Sequence, residues 1–228
     1  MAEVTRVDPA GGRAFAAFLF DMDGTLINSI ASAIRVWTRW ADSHGIDPDR
    51  VLRVMHGVRA VETVRNLNIP GLDAEREADV LTQAEIEDVG DITAIRGARA
   101  FLQSLPAERW AIVTSAPRVL ALRRLEAAGI PKPRVLVTAD DVAKGKPAPD
   151  CFLLAARLLG FAARDCLVWE DTVAGITAAE AAGAAVLVVT ATHAHPIETR
   201  HPVTVDYDGL KTSLDDSGRL VLDPPYHL

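Results

Sequence analysis

At 228 residues, 49% hydrophobic and 24% charged, the chain has the balance of an ordinary soluble globular protein, long enough for one substantial domain or a core with a smaller insert. Its net charge of −7 argues against nucleic acid or an anionic membrane as the main partner, while leaving room for a locally basic pocket. The two cysteines, Cys151 and Cys166, suit neither a disulfide framework nor a zinc motif and read as buried thiols of a reducing cytoplasm.

Residues 1–13 carry Glu3, Asp8, Pro9, Gly11 and Gly12, the mark of a loose polar tail. The apolar run that follows, "AFAAFLF", stops after seven residues at Asp21. It is far short of the ~20 residues of a membrane helix and is a poor signal peptide, but it makes a good buried strand over Ala17–Phe20. From Asn28 to about Ile95 the pattern is helical with no convincing strand. Ile30, Ala33, Ile34 and Trp37 form one stripe, Val51, Val54, Val61 and Val64 continue it, and an acidic, solvent-facing helix covers Ala74–Glu87. Trp37 and Trp40 read as packing residues rather than a substrate platform.

Strand and helix then alternate. Apolar runs at Trp110–Thr114, Val135–Val137, Leu167–Trp169 and Val186–Val189 read as strands buried on both faces. The segments Pro117–Gly129, Cys151–Gly160 and Ala174–Gly183 read as helices ending in glycine, the first with Val119, Leu122 and Leu125 at helical spacing. This rhythm predicts an α/β fold, a three-layer, Rossmann-like parallel sheet covered on both sides. The core comprises 1–27 and 96–228, and 28–95 form a helical cap over the sheet's C-terminal edge, where such sheets place their sites. "SLDDSGRLVLDPP" reads as a structural short hairpin or edge strand around Asp216-Ser217-Gly218, and His193 and His195 as a solvated loop.

Polar residues recur where the predicted strands end: Asp21 and Asp23, Thr114 and Ser115, Glu170 and Asp171, with Lys144 and Lys146 in "DDVAKGKPAPD". In a parallel sheet these ends share one edge, so carboxylates, hydroxyls and a lysine converge. That set describes a Mg²⁺ site handling a phosphate ester. Asp21 and Asp171, with Glu170 in support, offer hard oxygen ligands. One carboxylate can attack phosphorus to give an aspartyl-phosphate, and the other can protonate the leaving alkoxide and then activate water. Gly24 and Thr25 supply a tight turn and backbone N–H donors for the phosphate.

Blander readings compete. A calcium loop fails on spacing, with Leu26 where glycine is needed and Ser32 where a bidentate Glu belongs. A P-loop fails because Asp140 stands at its first glycine and Pro147 follows the lysine. Thr114-Ser115 suits a helix N-cap, which also attracts phosphate, and Glu170-Asp171 suits a helix start.

"DMDGTL", "VTSA", "GKPAPD" and "WEDT", in this order and spacing, resemble the four motifs of haloacid-dehalogenase-superfamily phosphohydrolases. The resemblance implies that Asp21 is the nucleophile and Asp23 the general acid/base, its backbone carbonyl also touching the metal. It further implies that Thr114, Ser115 and Lys146 (rather than Lys144) hold the phosphoryl group and that Glu170 and Asp171 hold Mg²⁺. Trp169 departs from the smaller residue common among relatives. Segments such as "ADSHGI", "HGVRAVETVRNL" and "VWEDTVAGITAAEAAGA" are also similar to bacterial broad-specificity sugar-phosphatases and to fungal glycerol-phosphate and 2-deoxyglucose-6-phosphate phosphatases. That likeness turns the cap element His56, Gly57 and Arg59 toward the active site, with Arg59 on substrate phosphate or hydroxyls. The expected partner is a small phosphorylated metabolite handled by a cytoplasmic monomer or homodimer. A hexose-phosphate mutase of the same fold is the alternative enzyme. A dehalogenase is disfavoured by Asp23 and the Glu170-Asp171 pair, and a non-catalytic binder by the filled motifs.

Overall fold

The computed structural model of the chain describes residues 13–223. Strands β1 (Ala14–Phe15), β2 (Ala17–Phe20) and β3 (Ile27–Asn28) open the fold. Four helices follow, α1 (Ile30–Ser43), α2 (Pro48–Leu52), α3 (Ala60–Leu67) and α4 (Ala74–Glu87), then β4 (Thr93–Ala94) and α5 (Ala98–Ser104). The alternating part comprises β5 (Trp110–Val113), α6 (Arg118–Ala128), β6 (Val135–Val137), α7 (Asp150–Leu159), β7 (Cys166–Glu170), α8 (Val173–Ala181) and β8 (Ala185–Val189). The strands β9 (Val203–Thr204), β10 (Lys211–Leu214) and β11 (Leu220–Asp223) complete it.

The main sheet runs β6-β5-β2-β7-β8-β9, with every neighbouring pair parallel. From β2 the chain builds outward through β5 and β6, then crosses to the other side for β7, β8 and β9. The order therefore reverses beside β2, the place where an open α/β sheet leaves a crevice at its carboxyl end. All four residues of β2 are buried, so they alternate between two cores rather than between core and water. Phe18 and Phe20 join Phe101, Trp110, Trp169 and Tyr207 on one face; Ala17 and Leu19 join Val168, Val188 and Phe152 on the other. Trp169 stacks on both Phe20 and Tyr207, each ring centroid at 5.3 Å, and those two rings meet each other at 6.2 Å. Each such burial contributes roughly 1.5–3 kcal/mol, so apolar packing anchors the strand that carries carboxylates to the crevice.

The expected parallel sheet is present, its strands at 17–20, 110–113, 135–137, 166–170 and 185–189, each within one residue at either end of the bounds expected from the apolar runs. The hairpin of β10 and β11 is also present, and β11 pairs with β1 in a second sheet. The expected tail falls, but for Arg13, outside the described residues, as does the Pro224-Pro225 end of the hairpin segment.

Four helices of residues 30–87 enclose a third apolar cluster around Trp37, Trp40, Val64 and Leu81. Two strands escaped the helical periodicity: β3 and β4 pair antiparallel where the chain leaves and re-enters the α/β part. Two residues per strand are too few for an alternation to register in the sequence. The stripes also shift. On α1 the buried face is Ser32, Val36, Trp37, Trp40 and Ala41, with Ile34 exposed. On α6 it is Leu120, Ala121, Arg124, Leu125 and Ala128, with Val119 and Leu122 exposed. Helix α4 is not simply solvent-facing, because Leu81 and Glu85 are buried. Both helices admit a charged residue to the buried face, which a purely apolar count misplaces.

Candidate active site

Asp21 follows β2 directly, and its backbone N–H donates to the carbonyl of Trp169 on the neighbouring strand β7, at 2.9 Å. Glu170 ends β7 and Asp171 follows it, so parallel pairing alone carries three carboxylates to one edge. Their oxygens lie within 4.8 Å of one another, all three residues buried. Lys146 reaches in from the loop between β6 and α7, with Nζ donating to Asp21 Oδ1 at 2.5 Å and to Glu170 Oε1 at 2.6 Å. Its side chain is 1% exposed. Lys144 is exposed.

Burial pushes the Asp21 carboxyl up to about 7; the Lys146 ammonium opposes this and the Glu170 carboxylate adds to it. Asp171 is raised well above the ordinary carboxylate range, first by burial and then by Glu170 and Asp21. Burial alone would lower Lys146, but Asp21 and Glu170 outweigh it and raise it. Three carboxylates thus share one ammonium, an imbalance that costs free energy unless a proton or a cation offsets it. The donor set is hard, anionic and oxygen-only, the chemistry that suits a divalent cation of the Mg²⁺ or Ca²⁺ type.

Two glycines leave room for this crowding. Gly24, at φ +88°, would drive a β-carbon into the Asp171 carboxylate, and a β-carbon on Gly175 of α8 would collide with the Glu170 carboxylate. The other Glu170 oxygen accepts from the backbone N–H groups of Asp171 and Thr172, each at 2.8 Å, and from Thr172 Oγ1 at 3.0 Å. Asp171 Oδ1 accepts from Thr25 Oγ1 at 3.0 Å.

Thr114 follows β5 and is buried; its Oγ1 accepts from Ala116 N–H at 3.1 Å, a cap-like contact ahead of α6. Ser115 Oγ donates to the carbonyl of Gly57 at 2.9 Å, joining the sheet edge to the loop between α2 and α3. Asp21, Asp23, Thr114, Ser115 and Asp171 line one cleft together with His56 and Gly57. Arg59 is not brought there. Its guanidinium pairs with Glu62 and donates to the carbonyls of Val142 at 3.2 Å and Ala143 at 3.0 Å. Backbone acceptors in the Lys146 loop hold its two terminal nitrogens, while its buried Nε is without a partner among the described residues, so it staples α3 to the α/β part.

Sequence reasoning missed several neighbours of the site. Asp23 Oδ1 accepts from Ser29 Oγ at 2.6 Å and from Arg124 Nη1 at 2.9 Å, and Arg124 also pairs with Glu85 of α4. Tyr207 Oη donates to the carbonyl of Thr25 at 3.1 Å, bracing the loop after β2. His193, expected in solvent, has Nε2 2.8 Å from the Asp171 carbonyl, which it meets as a donor. A weak signal existed for Arg124 alone, which falls at helical spacing from Leu120, Ala121 and Ala128; Glu85 sits in a helix with several acidic residues and gives none. Nothing local in the sequence ties Tyr207 or His193 to residues so far upstream.

A family model of haloacid dehalogenase-like hydrolases matches residues 15–183. The chain belongs to this family. Escherichia coli hexitol phosphatase A is 42% identical over 178 residues, which cover 76% of this chain and 82% of that protein. Saccharomyces cerevisiae 2-deoxyglucose-6-phosphate phosphatase 1 is 32% identical, covering 77% of this chain and 80% of that protein. A Pseudomonas syringae hydrolase crystal structure superposes with a TM-score of 0.70 at 31% identity, over 77% of this chain and 84% of that one. With phosphatases at this identity, this member of the family is a phosphoric monoester hydrolase. Among the described residues no helix is long and apolar enough to cross a membrane.

Proposed function

We propose that the chain is a Mg²⁺-dependent phosphatase of small sugar or polyol phosphates that works through an aspartyl-phosphate on Asp21. The observation that carries this reading is the junction of Asp21, Lys146, Glu170 and Asp171 at the carboxyl edge of β2 and β7. Asp21 attacks phosphorus as the bond to the ester oxygen breaks, and the proton of the Asp23 carboxyl passes to that oxygen. Asp23 then takes a proton from the water that hydrolyses the acyl-phosphate. Thr114, Ser115, Lys146 and the backbone at Gly24 hold the phosphoryl oxygens. Glu170, Asp171 and Asp21, with the Asp23 carbonyl, would hold Mg²⁺, which would supply positive charge for the phosphoryl oxygens. Residues 28–95 act as a cap over a core of 1–27 and 96–228, with His56 and Gly57 bordering the leaving group. The hexitol and 2-deoxyglucose phosphatases among the relatives support the sugar and polyol class.

The test is phosphate release over a panel of sugar, polyol, glycerol and nucleotide phosphates, with Mg²⁺ and after its chelation. Release from sugar or polyol phosphates that stops on chelation is expected. Isomerisation of a hexose phosphate without phosphate release would replace the reading with a mutase.

A further inference from the structure

Arg124 is out of place on a helix face made otherwise of Leu120, Ala121, Leu125 and Ala128. Its side chain is 6% exposed and it reaches two carboxylates on different parts of the molecule. Nη1 donates to Asp23 Oδ1 at 2.9 Å, and Nη2 lies 3.0 Å from Glu85 Oε1 on α4. Glu85 is itself buried and accepts from Trp37 Nε1 at 3.3 Å. Both members of the pair line the cleft. A buried guanidinium is costly to desolvate, and here Nη1 alone donates a hydrogen bond while Nη2 meets Glu85 as an ion pair and Nε is without a partner among the described residues, so an apolar residue would serve packing better. Here one planar fork spans from the loop after β2 to the helices of 30–87. The fork presents a separate nitrogen to each carboxylate, whereas a lysine must bring both to one ammonium, as Lys146 does with Asp21 and Glu170.

We propose that Arg124 is a positioning residue that aims the Asp23 carboxyl at the leaving-group oxygen, and that Glu85 makes this aim depend on the cap being seated. The inference rests on the reading of Asp23 as the acid of the preceding section. With the cap seated, Glu85 fixes one arm of the guanidinium and the other arm fixes Asp23 Oδ1, beside Ser29. With the cap lifted, Glu85 leaves and Arg124 loses the partner that holds its orientation. Protonation of the leaving group is thereby tied to closure, so a half-bound ester is not cleaved in an open site.

The test separates aiming an acid from merely holding the fold. A dinitrophenyl phosphate departs as a stable phenolate and needs no proton, whereas a polyol phosphate leaves as an alkoxide and does. With Mg²⁺ present, kcat/KM is measured for both esters, the polyol phosphate being the one best hydrolysed in the panel above. The proteins are the wild type, Arg124→Met, Glu85→Gln, Asp23→Asn and the Arg124→Met/Asp23→Asn double variant. Arg124→Met is expected to lower kcat/KM for the polyol phosphate by about 30- to 100-fold, within the usual range for general acid catalysis, and for the aryl ester by no more than about threefold. Glu85→Gln should show the same contrast, at about tenfold. In the Asp23→Asn background Arg124→Met should add nothing, because the group it aims is gone. Equal losses on both esters, or losses that multiply with Asp23→Asn, would overturn the proposal. Should Arg124→Met fail to fold by circular dichroism, Glu85→Gln makes the same comparison from the cap. A wild type inactive on both esters would instead overturn the phosphatase reading, and an Asp23→Asn with equal losses on both would overturn Asp23 as the acid.

Discussion

On one side of the cleft the polar groups sit at the ends of parallel strands; on the other they sit on helices and in the loop between α2 and α3. Asp21, Thr114, Glu170 and Asp171 owe their positions to a hydrogen-bonded ladder whose register fixes each strand end against its neighbours. His56, Gly57 and Glu85 owe theirs to the packing of α1–α4 and to a few bonds across the cleft, such as Ser115 to the Gly57 carbonyl. A ladder tolerates little slippage, since one residue of shift turns every side chain to the other face. Helix packing allows small displacements and rotations of whole elements, which suits a surface that must admit and release a substrate. On the proposed mechanism the chemistry is set on the rigid side and its timing on the adjustable one.

The comparison can be broken on the rigid side with Lys146→Met. That change removes the ammonium paired with Asp21 and Glu170 and leaves their buried negative charge without a cationic partner among the described residues. Turnover with Mg²⁺ is expected to fall at least about a thousandfold, because the environment of the proposed nucleophile and a proposed phosphoryl contact are both lost. Breaking a buried pair in this way costs about 3–5 kcal/mol, so the metal-free variant should unfold at lower denaturant, and added divalent cation should restore part of the midpoint. Wild-type turnover in Lys146→Met would show that the strand-end cluster is not the reacting centre.

Arg59→Ala sharpens the other side. Its guanidinium holds the carbonyls of Val142 and Ala143 rather than facing the cleft, so removing it should weaken the attachment of α3 more than the chemistry. Less than about tenfold loss in kcat/KM is expected, with a stability loss of about 1–3 kcal/mol in denaturant titration. A loss confined to KM and larger for charged or hydroxyl-rich substrates would return Arg59 to the substrate.

This asymmetry also explains what the sequence made legible. Apolar runs that stop at Asp21, Thr114 and Glu170 report both a strand and its polar end, and parallel pairing then brings the ends together without further information. The helical residues gave only periodicity, which located the helices but placed Ile34, Val119 and Leu122 on faces they do not occupy. Arg124 lies off the Val119, Leu122 and Leu125 spacing of its helix and Glu85 among other acidic residues of α4, so periodicity alone does not reveal that they form a buried pair. Arg59 had the right neighbours in the sequence and the wrong partners in space, because backbone carbonyls of a distant loop carry no sequence signal. His193 and Tyr207 reach the site across long separations, and only the fold reveals them.

The most direct test of the central claim is whether Asp21 carries the phosphoryl group. Mixing the enzyme with excess polyol phosphate and Mg²⁺, quenching in acid within the first turnovers and mapping the peptides by mass should find one added phosphoryl group, on the peptide and residue of Asp21. Asp21→Asn, folded to the same circular dichroism spectrum, should show neither the adduct nor turnover. Turnover without any adduct on Asp21, together with wild-type rates in Asp21→Asn, would contradict it.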